Sequence, residues 1–360
     1  MRILVVKLSS LGDIVLATPS LRAIRARWPE SRITVAVNRE FVPVVAACPE
    51  VDDVLVRERT ERVRRLKTLG QAFWAGWFRA GRFDLAIDLQ GNFHSAAWTS
   101  LIRARRRAGL GGPHRGWEFC LPCDDRCHAV DRCGEVVARL SAPLQDRLPR
   151  LTIPKHEDRF VDGFLCRRGL PRHGFLVVHP FTAWRSKEWP IERYAELLRR
   201  LILDSGGPHT VLITGTRREA ARAAELERLV DSTRVRSVAG CLPLGGCLAL
   251  WARAAAFVGG DTGPMHASAA AGVPVVAVFG PTLPEVSGPV GPGHRVIQAS
   301  RPASHDAYRS PSGHDHMLAI TVEQVVDAVQ DVLPQGFESP HAESASQSED
   351  GLRSPHVLLS

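Results

Sequence analysis

The sequence lacks several features that would assign it to a class at once. No apolar run approaches the ~20 residues a membrane-spanning helix needs, so a helical integral membrane protein is not expected. The opening MRILVVKLSSLGD has too short an apolar stretch for a secretory signal, and a cytoplasmic protein is the default expectation. No tandem repeat of about 20–50 residues is visible, which argues against repeat architectures. The first strand-turn-helix stretch shows neither G-x-G-x-x-G nor the Lys-containing phosphate-loop pattern. Eight cysteines in a chain this large, without an export signal, do not suggest a disulfide framework.

What is present fits a soluble globular protein. The 360 residues suffice for two domains, and 44% hydrophobic with 23% charged residues is ordinary. Net charge is +8, unevenly placed. Residues 1–150 hold 25 Lys and Arg against 16 Asp and Glu, a net of +9; the remainder holds 21 against 22, a net of −1. A basic first half suggests an anionic partner, whether nucleic acid, acidic lipid or a phosphorylated substrate. A genome that prefers Arg to Lys accounts for the Arg usage but less well for the asymmetry.

Strand and helix patterns alternate, which predicts parallel α/β sheets. Strands are expected at 3–6, 32–37, 51–56 and 83–89, with a helix over 14–28. After a stretch at 141–174 the pattern restarts: strands at 175–179, 210–214, 255–258 and 274–279, and helices at 191–203, 217–229 and 264–271. The expected division is 1–155 and 172–333, with a linker near 150–172. The Ser-, Glu- and Pro-rich tail 334–360 is expected to be disordered. Ligands of open α/β sheets sit at the carboxyl ends of strands, so the gap between the halves is the place to look.

Five loops at strand ends carry candidate chemistry. In Lys7-Leu-Ser9-Ser10-Leu-Gly12-Asp13, Gly12 permits close backbone approach and Asp13 opens a helix. A carboxylate there is an ordinary helix cap or a general base at the rim of the gap. In Gly259-Gly-Asp261-Thr262-Gly263-Pro-Met-His266, glycines precede a helix start whose free N–H groups suit phosphate, and His266 lies one turn in. Lys187, in the loop after strand 175–179, is either a phosphate-binding point charge or a solvated lysine. Glu219 starts another helix; it can accept from sugar hydroxyls or simply complement the dipole. The fifth loop is Phe279-Gly-Pro-Thr282. The second half thus reads as a cradle for a nucleoside diphosphate, and the first contributes a base.

Together these loops resemble glycosyltransferase family 9, the heptosyltransferases of lipopolysaccharide core assembly. The matching patterns are K-x-S-S-x-G-D-x-x-x-x-x-P at 7–19, D-L-Q-G at 88–91, H-P-x-x-x-W-x-S-K-x-W-P at 179–190, T-G-x-x-x-E at 214–219, D-T-G-P-M-H at 261–266 and F-G-P-T at 279–282. The resemblance runs from Met1 to about Leu333. It implies a GT-B fold, two Rossmann-like domains facing across a deep cleft, and an inverting, metal-independent transfer with no cofactor. The implied donor is ADP-L-glycero-β-D-manno-heptose, and the implied acceptor is Kdo or heptose of the inner core on lipid A. Asp13 would be the base, with Ser9, Ser10 and Gly12 forming its loop. Lys187 would hold the donor phosphates with Thr182, Thr262 and Gly263, and His266 would sit beside them. Glu219 and Asp261 would hold donor hydroxyls, and Leu242 falls where the family places an adenine contact. Arg301–Tyr308 and His316 depart from the family's cysteines, and Phe181 replaces a common Gly.

Two clusters are not explained by the resemblance. Cys120, Cys123, Cys127 and Cys133 are dense enough for zinc or an iron–sulfur cluster, but their spacing fits no standard site, so free thiols are preferred. Arg57–Phe78 and the arginines at 103, 105, 106 and 107 put basic residues beside aromatics, which suits an anionic inner-membrane surface or phosphorylated lipid A. A solvated helix with inward aromatics is an equal alternative. Three other readings stand: a related family 9 transferase with another nucleotide sugar or acceptor, a non-catalytic nucleotide-binding or regulatory protein, and a nucleic-acid binder. The last has no motif to support it. Nothing in the sequence gives the oligomeric state.

Overall fold

The computed structural model describes residues 1–57, 82–124, 126–203, 207, 209–310 and 312–333. The expected tail at 334–360 and most of the basic stretch 57–78 lie outside the described residues.

The first half contains β1 Arg2–Val6, α1 Leu11–Leu16, α2 Thr18–Arg27, β2 Arg32–Asn38, α3 Val42–Ala46, β3 Asp53–Arg57, β4 Phe83–Asp88, α4 Phe93–Leu101, β5 Ala104–Leu110, β6 Phe119–Leu121 and α5 Ala129–Arg139. A helix α6, Lys155–Arg167, follows. The second half contains β7 Phe175–His179, α7 Ile191–Leu203, β8 Val211–Ile213, α8 Ala220–Val230, β9 Val235–Ser237, α9 Leu244–Trp251, β10 Ala254–Gly260, α10 Gly263–Ala270, β11 Val275–Val278, α11 Pro284–Ser287, β12 Arg295–Ile297, α12 Gly313–Leu318 and α13 Val322–Val332.

The strands form two six-stranded sheets, ordered β3-β2-β1-β4-β5-β6 and β12-β11-β10-β7-β8-β9. Every pairing is parallel. Each is the Rossmann order, read from its own first strand. Helices cover both faces, so the central strands are apolar throughout: Ile3, Leu4, Val5 and Val6 are all fully buried. One apolar cluster runs from Ile3 and Val5 through Val44 and Val45 to Leu248, Phe257 and Val275. The two sheets therefore share a core where they join.

Several expectations change. The helix expected over 14–28 is two, broken at Ala17, because Pro19 lies in the first turn of α2 and has no N–H to continue the ladder. The stretch expected as linker holds α6, which buries Val161, Phe164 and Leu165. Buried Arg253 ties α6 down through Asp158 at 2.5 Å and Asp162 at 2.8 Å. The arginines at 105–107 lie in strand β5, where Arg106 pairs with Glu118 at 2.6 Å and Arg107 donates to the Thr99 carbonyl at 3.2 Å. No helix among the described residues is long and apolar enough to cross a membrane.

Candidate active site

The chain order of each sheet reverses beside its first strand, between β1 and β4 and between β7 and β10. A crevice opens at such a switch point. The loops after these four strands carry Lys7–Ser10, Leu89–Asn92, Pro180–Lys187 and Asp261–Thr262.

In the first half, Asp13 closes a capping box at the start of α1. Its Oδ2 accepts from the Ser10 N–H at 3.0 Å and from the Ser10 hydroxyl at 2.8 Å. Its Oδ1 lies 3.7 Å from Lys7 Nζ, and its side chain remains 40% exposed. Lys7 itself is buried and donates to the Leu89 carbonyl at 2.8 Å. The Ser9 N–H donates to Gln90 Oε1 at 3.0 Å, which fixes the β1 loop to the β4 loop. Burial pushes the Asp13 carboxyl up, but Lys7, the two bonds from Ser10 and His266 outweigh it and hold it below the ordinary carboxylate value. Asp13 therefore closes the cap of α1 and at the same time keeps a partly exposed, ionised carboxylate. Asp88 differs. It is fully buried, and burial raises its carboxyl against Ser95, the Gly91 and Gln90 N–H groups and Lys7.

In the second half, Lys187 Nζ bonds Asp261 Oδ2 at 2.6 Å, with side chains only 15% and 9% exposed. Burial pushes the Asp261 carboxyl up; Lys187, His266 and Thr282 more than reverse it. Lys187 also lies 5.1 Å from the ring centre of Tyr308. His266 Nε2 stands 3.9 Å from Asp261 Oδ1. Burial drives His266 down to about 4, helped by His128 and Lys187 and opposed by Asp261 and Asp13, so its ring is neutral at pH 7. Thr262 holds the N-cap position of α10, and among the described residues its buried hydroxyl has no hydrogen-bond partner, nor has His266 Nδ1. A buried polar atom left unpaired costs about 1–3 kcal/mol, so two of them beside a helix N-terminus mark a place for a polar ligand.

The halves meet through two glycines. A methyl built on Gly12 would stand 2.7 Å from His266 Cδ2, and one on Gly263 would stand 2.6 Å from Leu11 Cβ. Only glycine lets the starts of α1 and α10 come this close. Asp13 is thereby set near His266, which in turn faces the Asp261 carboxylate that holds Lys187.

The remaining candidates sit at the margin. The Thr182 N–H donates to Glu188 Oε1 at 3.3 Å, and a methyl on Gly260 would lie 3.2 Å from Thr182 Cγ2, so Thr182 adjoins the end of β10. Glu219 accepts from the Thr216 N–H at 2.7 Å as the cap of a short turn before α8. Leu242 is half-buried against Gly246 at the start of α9. Among the described residues, no bond joins Glu219 or Leu242 to Lys187, Asp261 or Asp13. Phe181 is buried and packs where a methyl on Gly215 would be 3.0 Å from its ring.

The four cysteines of 120–133 occupy different elements. Cys133 is buried in α5, Cys120 lies in β6 and Cys123 is exposed beside the Gly91 carbonyl. Among the described residues, no three His, Cys, Asp or Glu side chains are grouped to hold a metal. Spacing alone did not single out Lys7, Gln90 or Tyr308. The first two stood inside quoted motifs without a role. Tyr308 has no local signal; the Ser186 hydroxyl reaches its carbonyl from 122 residues away.

Two Rossmann-ordered sheets with their switch-point loops turned to one another make the GT-B architecture of nucleotide-sugar transferases. Comparison with known proteins narrows the class. The model of glycosyltransferase family 9 (heptosyltransferase) matches residues 76–312. Lipopolysaccharide heptosyltransferase 1 of Pseudomonas aeruginosa is 29% identical over 303 residues, covering 81% of this chain and 82% of that protein. Lipopolysaccharide heptosyltransferase 2 of Salmonella typhimurium is 25% identical over 359 residues, covering 93% and 99%. The crystal structure of a family 9 glycosyl transferase from Veillonella parvula superposes with a TM-score of 0.80 at 24% identity, covering 92% of this chain and 96% of that one. E. coli heptosyltransferase WaaC with ADP gives 0.72 at 24% identity, covering 92% and 99%. The chain belongs to glycosyltransferase family 9.

Proposed function

We propose that the protein moves a heptosyl group from ADP-L-glycero-β-D-manno-heptose to a Kdo or heptose hydroxyl of the lipopolysaccharide inner core, with inversion. The observation that carries this reading is the approach of the Asp13 loop in one half, through Leu11 and Gly12, to Gly263 and His266 at the start of α10 in the other, where His266 in turn faces the Lys187–Asp261 pair. Relatives of comparable length are named as lipopolysaccharide heptosyltransferases, and one similar structure holds ADP.

In this reading, Asp13 takes the proton of the acceptor hydroxyl as its oxygen attacks the anomeric carbon. The bond from that carbon to the β-phosphate oxygen breaks, and ADP leaves. Lys187, the Thr262 hydroxyl and the N–H groups of α10 carry the growing charge on the diphosphate, so no metal is required. Asp261 holds Lys187 in place, and Thr182 and Gly263 shape the phosphate loop. Glu219 and Leu242 take the outer parts of the donor. A carboxylate held below its usual pKa is a weak base, but it is always ready to accept, and proton transfer late in the attack suits it. The reaction belongs on the cytoplasmic side, where the protein's expected location and its donor coincide.

The test is incubation with ADP-heptose and defined core acceptors, read by mass spectrometry. The expected product is the acceptor plus one heptose, with ADP released. ADP bound without any transfer to Kdo- or heptose-ended acceptors would overturn the assignment.

A further inference from the structure

The Lys187 ammonium has three N–H donors and sits at the end of a flexible stem. Asp261 Oδ2 takes one donor at 2.6 Å, and the Asp261 carbonyl is further off at 3.4 Å. The other neighbour is the ring of Tyr308, whose centre lies 5.1 Å from Nζ. That is inside the ~6 Å range over which an aromatic face attracts a cation. The lysine side chain is only 15% exposed, so little water competes with the ring.

Tyr308 belongs to the short turn His305–Arg309, which hydrogen bonds fasten to the loops of the site. The Ser186 hydroxyl donates to the Tyr308 carbonyl at 2.6 Å. The Leu283 N–H, next to Thr282, donates to His305 Nδ1 at 3.2 Å. The ring itself leans on the Trp184 indole, with centres 5.1 Å apart and planes at 65°. Trp184 and Ser186 share the loop that carries Lys187, so that loop fixes the ring and the ring meets the lysine. Arg309 also lies 5.5 Å from the ring centre, and its Nε donates to the Tyr308 hydroxyl at 3.2 Å. It is 64% exposed, however, and Asp306 meets its charge at 3.4 Å. The buried cation beside the ring is Lys187.

We propose that Tyr308 is a positioning residue for the diphosphate: its ring and Asp261 together hold the Lys187 ammonium, and a remaining donor is left for a phosphate oxygen. The ring attracts the charge without neutralising it, whereas a second carboxylate would compete with the phosphate. Without the ring, the lysine pivots on a single ion pair and must be ordered when the ligand binds, which costs affinity. This role rests on the proposed binding of a nucleoside diphosphate at Lys187. It is read from ADP binding and not from transfer, so the acceptor chemistry does not enter.

The experiment is calorimetric titration of the full chain with ADP. Tyr308→Leu should weaken ADP about three- to thirtyfold. Tyr308→Phe keeps the ring and should stay within about twofold of the wild type. Replacing Tyr308 by a trifluorinated phenylalanine keeps the shape of the ring but removes the negative charge of its face, and should give the loss seen with Leu. That variant covers the case in which Leu also loosens the fold. In a Lys187→Ala background, Tyr308→Leu should add less than about a twofold change, since the ring has no ammonium left to hold. Equal ADP affinity of wild type and Tyr308→Leu, a trifluorinated ring that binds ADP as Phe does, or the same loss with and without Lys187 overturns this role alone. A wild type that fails to bind ADP overturns this role and the donor reading together.

Discussion

His266 of the second sheet's helix α10 lies against Gly12, one residue before Asp13, at the point where a methyl on Gly12 would be 2.7 Å from the ring. The neutral ring is a steric gauge between the halves. Gly12→Ala must displace the buried His266 ring or the Asp13 loop itself by part of an ångström. A displacement of about 1 Å between reacting groups costs up to about 100-fold in rate. We expect kcat to fall at least ~tenfold while ADP affinity, which the proposed site places mainly in the second half, changes less than about twofold. Steady-state kinetics and calorimetry with ADP check this split; an ADP loss as large as the rate loss refutes it.

Lys7 sets the charge state of Asp13, the proposed base. Burial alone would raise the Asp13 carboxyl, and Lys7 is the largest influence in the opposite direction. Lys7→Met removes that influence, so the carboxyl rises and is protonated at higher pH. The acid limb of the kcat/KM profile should therefore move to higher pH, with activity at alkaline pH much less affected. Asp13→Ala should abolish transfer and keep ADP binding. An acid limb that stays in place in Lys7→Met, or near-normal turnover in Asp13→Ala, removes the base assignment.

Both halves were legible as alternating strands and helices because parallel strands such as Ile3–Val6 and Phe175–His179 are short continuous apolar runs bounded by loops. Helix α7 read correctly at both ends because Pro190 precedes it and its apolar spacing is regular. The break at Ala17 was missed because the apolar period continues across it. Strand β5 was hidden because arginines occupy its start, where Glu118 and the Thr99 carbonyl satisfy two of them from outside the strand. Within the site, spacing identified Asp13, Lys187, Asp261 and His266 as separate loop residues. That Lys187 bonds Asp261, and that Gly12 faces His266, depends on folding two distant segments together, which no local pattern encodes.

Lys187 and Asp261 form a nearly buried pair at 2.6 Å. A bound diphosphate can share this ammonium, whose position Asp261 has already fixed. Hydrogen bonds to charged groups contribute about 1.5–3 kcal/mol, so Lys187→Ala should weaken ADP about 10- to 100-fold. Asp261→Asn keeps the shape and loosens the lysine, so a smaller loss is expected. An unchanged ADP dissociation constant in Lys187→Ala would remove the phosphate role.

Arg253 at the foot of β10 is buried, while its partners Asp158 and Asp162 reach it from α6. Converting both acids to Asn leaves the guanidinium buried without a counter-charge. Removing one side of a buried pair typically costs about 3–5 kcal/mol, reduced here because the carboxylates are partly exposed. The double variant should therefore unfold at a clearly lower temperature, and the loss should shrink in Arg253→Met combined with both changes, where no orphan charge remains. Arg253 precedes β10 and Asp261 follows its end, so these substitutions lie at the opposite end of the strand from the Lys187–Asp261 pair. Calorimetric melting of the wild type and the two variants decides it: equal midpoints across the set would show that these ion pairs contribute nothing to holding α6 in place.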